Sequence, residues 1–389
     1  MSERRDMSGL CVGLVGSVPG RPGGISIHLQ RLATRLRDRG ARVVVAANNG
    51  GTEVGEGIAL HQISSGRRQV LDVTGLVRKE GIDLLHFHTF GGHWKTIAPW
   101  LLIKNLTGVP VIISQHSMRT DPKGMSRFER AMSRFCSEGL SHTVCSGVTV
   151  FEKFRQLGVA DDLLSQNTPF IAPQRPNLLE HTLPAEIAAL VKRTSPLITS
   201  GTGALVEVDG KDLYGLDVFV RAAKRVLERC PGAGFVYLIG AAGGGRLLQD
   251  AREYVQESGL EEQVCIHVGD LPGTVMWATG DIFVRPTLDD GDAVSLCEAL
   301  FLGIPSVASD AVPRPQGCRT FRSGDIEDCA RVLVEVAEEL EGHRRLVERE
   351  PPVEAIDGLM EVYGRALGER SWLNRLRPAW LRGDKTRDR

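Results

Sequence analysis

The chain has 389 residues, room for two or three domains with cores of their own. A hydrophobic fraction of 42% and a charged fraction of 24% fit a water-soluble globular chain and exclude collagen-like, disordered and disulfide-scaffold classes. With 47 basic and 48 acidic side chains the net charge is −1, which argues against a large nucleic-acid-binding surface.

The first apolar run, Leu10–Val15, is too short for a secretory signal and reads as a buried strand. A Gly/Pro loop over 16–24 follows, then a helix over 26–39 with Ile27, Leu29, Leu32 and Leu36 on one side, stopped by Gly40. Val43–Ala47 completes a βαβ unit. Leu84–Phe87, Val109–Ser114 and Thr143–Cys145 read as further buried strands of a parallel sheet. Prolines 169, 173, 176, 184 and 196 interrupt the rhythm, and 173–195 reads as a linker with a short helix inside. A second series follows: strands at 197–199, 235–239, 264–267, 281–284 and 306–308, with helices near 216–229, 246–258 and 326–341. The expected organisation is therefore two doubly wound α/β domains, 8–172 and 196–367, and a basic tail, 368–389. A ligand cleft is expected at the carboxyl ends of the sheets. No run approaches the ~20 apolar residues of a membrane-spanning helix. The eight cysteines form no C-x2-C pair and read as reduced thiols of a cytoplasmic protein.

Three places carry candidate chemistry. The loop Gly16 to Gly24 lets backbone approach a ligand and ends at a helix start, but it is neither G-x-G-x-x-G nor a P-loop, and a structural turn fits nearly as well. His86 and His88 alternate onto one face of a strand end, with His93 just beyond and His116 past the next strand. Lacking an adjacent carboxylate or cysteine cluster, these histidines read as polar groups at the sheet rim rather than as metal ligands. The run from Arg285 to Glu298 reads as a strand end, an acidic glycine loop and a helix. Its amides suit an anion and its carboxylates suit hydroxyls, and an ordinary N-cap by Asp292 or Ser295 explains it equally.

Taken in order, these signals resemble glycosyltransferase family 4, whose members are retaining nucleotide-sugar transferases of the GT-B fold. The signals are Gly23-Gly24 before His28, Asp83-Leu84-Leu85-His86-Phe87-His88, Ile113-Ser114-Gln115-His116, Cys145-Ser146, Pro169-Phe170-Ile171, and Gly303-Ile304-Pro305 before Ser306–Ser309. Asp290 and Glu298 stand at the two ends of the family's E-x7-E motif, the first one methylene short, in a variant of DGDAxS type. The Arg and Lys that the family carries near 201–215 are absent, leaving Lys211 and Arg285 as the nearest bases.

The resemblance implies that Gly23, Gly24, Lys211, Arg285, Gly291, Asp292, Ala293, Val294, Ser295 and Glu298 bind the donor, Glu298 through the ribose. His116, Asp290 and Glu298 would be the catalytic set, with Asp290 on the transferred sugar. His28, His86, His88 and His93 would lie on the acceptor side. It also implies no metal dependence and a glycan, lipid-linked or small-molecule acceptor, in bacterial polysaccharide or glycoconjugate assembly. Two alternatives stay open: a catalytically silent nucleotide-sugar-binding subunit, and an epimerase of related fold. The tail, where Trp372, Leu373, Leu376, Trp380 and Leu381 alternate with Arg370, Arg375, Arg377, Arg382 and Lys385, suits either a peripheral contact with the inner membrane face or a helix packed back on the protein.

Overall fold

The computed structural model describes residues 7–18, 24–52, 54–118, 120–241, 245–290, 293–349 and 351–376, the side chains of 369–376 excepted. Two compact units emerge: residues up to Ile171 with those from Glu354 onward, and Ala172–Val353.

The first unit is built on β1 (Cys11–Gly16), β2 (Arg42–Ala47), β3 (Ala59–Gln62), β4 (Leu84–Thr89), β5 (Val111–Gln115), β6 (His142–Ser146) and β7 (Leu164–Asn167), in the order β3-β2-β1-β4-β5-β6-β7. Every pairing is parallel. β1, β5 and β6 are buried along their whole length, as near-continuous apolar runs in a helix-covered parallel sheet require. The helices are α1 (Gly24–Arg37), α2 (Arg68–Glu80), α3 (Trp94–Thr107), α4 (Arg127–Glu138) and α5 (Val148–Gln156). α1 buries Leu29, Leu32, Ala33 and Leu36, a single stripe at helical spacing.

The second unit carries a six-stranded sheet in the order β12-β11-β8-β13-β14-β15, again parallel throughout. Its strands are β8 (Leu197–Thr202), β11 (Gly234–Ile239), β12 (Val264–Val268), β13 (Ile282–Arg285), β14 (Ser306–Ser309) and β15 (Cys318–Phe321). A small hairpin stands apart, β9 (Glu207–Val208) with β10 (Lys211–Asp212). The helices are α6 (Ala185–Arg193), α7 (Leu216–Leu227), α8 (Gly245–Glu257), α9 (Gly273–Thr279), α10 (Val294–Phe301), α11 (Ile326–Glu338) and α12 (Leu340–Arg349).

Two domain expectations need correction. The stretch 173–195 belongs to the second unit, where α6 buries Ile187 and Leu190 in the core. The second unit ends at Val353, not 367, because α13 (Ala355–Leu376) packs Ile356, Leu359, Met360, Val362 and Tyr363 into the core of the first unit beside Leu14, Leu29 and Val45. The amide of Ala355 donates to the Phe170 carbonyl, and Asn167 Nδ2 donates to the Ala355 carbonyl, fixing where this helix begins. The tail beyond residue 376 lies outside the described residues.

Candidate active site

In each sheet the strand order reverses at one point, and both sets of candidate residues gather there. Open α/β sheets bind ligands at such points, because neighbouring connections leave in opposite directions and expose the strand ends.

In the first unit the reversal falls between β1 and β4. β1 ends at Gly16, where a Cβ would stand 2.9 Å from Leu29 Cδ1 and 3.3 Å from His88 Cβ, so the missing side chain makes room for His88. His86 and His88 do share a face, with ring centroids 4.1 Å apart. His28 joins from α1 and His116 from just past β5, with ring centroids 5.0 Å apart. His88 Nδ1 lies 3.2 Å from His116 Nε2, and His116 Nδ1 lies 3.5 Å from Ser146 Oγ. His28 Nδ1 lies 2.6 Å from the Pro169 carbonyl oxygen. That oxygen can only accept, so Nδ1 carries the proton and Nε2 bears a lone pair.

All four histidines are held neutral. Burial pushes His28 down to about 4 and His86 to about 3. Burial, and then the neighbouring histidines, hold His88 and His116 well below the usual imidazole value. Not all of them stand at the rim. His86 is fully buried, with Nδ1 2.6 Å from Tyr363 Oη and Nε2 2.8 Å from Ser114 Oγ, so it ties α13 to the sheet. His93 is set apart from the group: its Nδ1 accepts from the Lys95 amide to cap α3, and its Nε2 faces Glu129 at 3.4 Å.

In the second unit the reversal falls between β8 and β13. Arg285, the last residue of β13, donates from Nη1 to the Gly201 carbonyl at 3.2 Å and from Nε to Asp290 Oδ2 at 3.1 Å. Arg314 donates from Nη1 to the same Asp290 oxygen at 3.2 Å, from Nε to the Ser309 carbonyl at 2.7 Å, and from Nη2 to Thr287 Oγ1 at 3.2 Å. Asp290 is nearly buried between the two guanidinium groups. Burial alone would raise its pKa; the charges and hydrogen bonds of Arg285, then Arg314, outweigh that and hold it below the usual carboxylate value. The expected contact of Asp290 with the transferred sugar therefore meets a carboxylate already clamped by two cations. Glu298, buried on α10, accepts from Trp277 Nε1 at 3.1 Å.

Two helix starts border this cluster. Asp212 accepts from the amides of Tyr214 and Leu216 at 3.0 and 2.6 Å, capping α7. Gly215, at φ +71, lies so close to Pro286 that a Cβ would fall on that residue's carbonyl oxygen. α10 starts after Ala293 with no side-chain cap, so Val294 and Ser295 open it with N–H groups directed out of its start. Lys211 is exposed on the β9–β10 hairpin. Gly24 opens α1. Gly23, Gly291 and Asp292 lie outside the described residues. Sequence reasoning missed Arg314 and Trp277. Arg314 had one readable signal, a lone base bracketed by Pro313 and Pro315 in the loop after a strand that ends at the same sheet edge.

Residues 22–165 match the family model described as Glycosyltransferase Family 4. Comparison with the curated proteins gives no match. Among solved structures, the chain is similar to Anabaena Alr3699/HepE in complex with UDP and glucose, at 15% identity over 94% of this chain and 100% of that one, TM-score 0.65. It is similar to a glycosyltransferase from Rickettsia africae at 12% identity over 94% and 97%, TM-score 0.68. It is also similar to the catalytic domain of starch synthase IV from Arabidopsis thaliana, bound to ADP and acarbose, at 14% identity over 93% and 100%, TM-score 0.67. The fold is GT-B, two parallel-sheet α/β units. Over residues 22–165 the chain resembles glycosyltransferase family 4.

Proposed function

We propose that the protein transfers a sugar, with retention of configuration, from a nucleoside-diphosphate sugar to a glycan, lipid-linked or small-molecule acceptor, as in bacterial polysaccharide or glycoconjugate assembly at the inner face of the membrane. The observation that carries this reading is the switch point of the second sheet, where Arg285 at the end of β13 reaches the Gly201 carbonyl at the end of β8 and the next helix, α10, starts without a side-chain cap. Departure of a nucleoside diphosphate builds negative charge on its phosphates, and fixed cations and N–H dipoles stabilise that charge best. In this reading the amides of Val294 and Ser295 and the Lys211 and Arg285 cations receive the diphosphate, with no metal ion needed there. Glu298 takes the ribose hydroxyls, and Asp290 holds Arg285 and Arg314 in place rather than touching sugar. His116, neutral and half-buried, accepts or donates a hydrogen bond at the sugar. The HepE structures with UDP and with UDP-glucose support a uridine nucleotide as the first donor to try.

The test is a thermal-shift and calorimetric screen of UDP-, GDP-, dTDP- and ADP-sugars. A ligand that binds only the folded state raises the apparent melting temperature. One donor class is expected to bind, and Glu298→Gln and Lys211→Ala are each expected to weaken it by about tenfold, ~1.4 kcal/mol. Unchanged donor affinity in both variants would overturn the site assignment. A second reading, a silent donor-binding subunit, is favoured by the clamping of Asp290 between two arginines. It predicts donor binding with no turnover when lipid-linked acceptors are supplied.

A further inference from the structure

His28, His88 and His116 each present one ring nitrogen, and these nitrogens all lie within 4.8 Å of one another. We propose that the three histidines form a binding site for a divalent transition-metal ion of the zinc class, entered from the His116 side.

The spacing supports an ion. Two imidazole nitrogens that share a tetrahedral zinc at about 2.0–2.1 Å stand roughly 3.3 Å apart. His88 Nδ1 and His116 Nε2 stand 3.2 Å apart. The third nitrogen lies within 4.8 Å of the other two. The proton inventory supports it too. The Pro169 carbonyl holds the proton of His28 on Nδ1, as carbonyls orient metal-binding histidines. The Nε2 of His28 is left buried with no hydrogen-bond partner among the described residues. Imidazole ligands without oxygen donors select zinc, copper or nickel over magnesium and calcium. Three protein ligands leave a fourth position for water or another ligand.

The consequence for activity rests on the role proposed above for His116. An ion held on His116 competes with the sugar for that ring, so the ion opposes transfer rather than serving it.

The experiment uses the full chain, free of any polyhistidine tag and stripped of metal with a chelator. Titration with Co2+ is expected to give one equivalent bound, with the strong visible absorption of tetrahedral cobalt, bleached by Zn2+. His28→Gln and His116→Gln are each expected to weaken binding at least about tenfold. His343→Gln, on α12 of the other unit, is expected to leave it unchanged. If His28→Gln fails to fold by far-ultraviolet circular dichroism, the half-buried His116 carries the test. Absence of stoichiometric binding, or binding equal to wild type in the folded histidine variants, overturns the site. Zinc that binds yet leaves transfer untouched keeps the metal site and overturns the sugar-contacting role of His116.

Discussion

Asp290 is, at the residue scale, a motif carboxylate already paired within its own unit. Its place in the sequence suggests a carboxylate facing sugar hydroxyls. In the fold both of its oxygens are engaged by guanidinium groups, Oδ2 by Arg285 and Arg314 together. Removing a carboxylate from such a buried triad leaves two uncompensated charges, so Asp290→Ala is expected to lower unfolding stability by about 3–5 kcal/mol in urea titrations. Arg314→Ala is expected to cost less, roughly 2–3 kcal/mol, because Arg285 still pairs with the carboxylate. An equal and negligible cost for both would contradict the triad. The sign of the pH dependence follows from the depressed pKa. The contribution of Asp290 is complete above its ordinary value of 3.8 and is lost as pH falls through the lower folded value. The wild-type chain should therefore shed more stability below pH 3.8 than Asp290→Asn does.

At the scale of elements, the close passage of the start of α7 by the segment after β13 sets the Tyr214 ring 5.2 Å from the Arg285 guanidinium. Gly215 makes that passage possible through its left-handed backbone and its missing Cβ. The amide of Leu288 donates to the Leu213 carbonyl, so the two segments move as one. Gly215→Ala forces them apart at a backbone carbonyl, which cannot yield as a side-chain tip would. It is expected to cost at least about 2 kcal/mol and to weaken nucleotide-sugar binding, while an alanine at exposed Gly75 on α2, where a Cβ meets nothing, should raise helix stability by up to ~1 kcal/mol. Calorimetry of both variants checks the contrast, and equal effects would remove the steric argument.

For the molecule as a whole, the chain leaves its first unit at Ile171 and returns at Glu354. The apolar side chains that α13 buries in that unit contribute on the order of 10 kcal/mol before entropy is counted, comparable to the net stability of a domain. Residues 172–353 expressed alone are therefore expected to unfold cooperatively, and residues 7–171 alone to lack a cooperative transition until 354–376 are supplied. A cooperative melt of 7–171 by itself would refute the role of α13. Among the described residues no helix is long and apolar enough to cross a membrane. Much of this architecture was legible in the sequence, because period and composition are local properties. Buried strands such as β1 and β11 announce themselves as apolar runs, the α1 stripe by its spacing, and the α/β alternation follows from both. The pairing of His86 with His88 was legible too, since strand alternation fixes it. What lay beyond the sequence were choices made by distant partners. The return of α13 depends on the apolar core shared with β1, β2 and α1; the pairing of Asp290 depends on Arg314, 24 residues away. Likewise His28, His88 and His116 are separate on the chain and become a cluster because α1 begins, and β4 and the neighbouring β5 end, at the same edge of the sheet beside its switch point. Local pattern determined the elements, and only tertiary packing decided which polar groups face each other, since burial and pairing energies depend on neighbours that spacing alone does not encode.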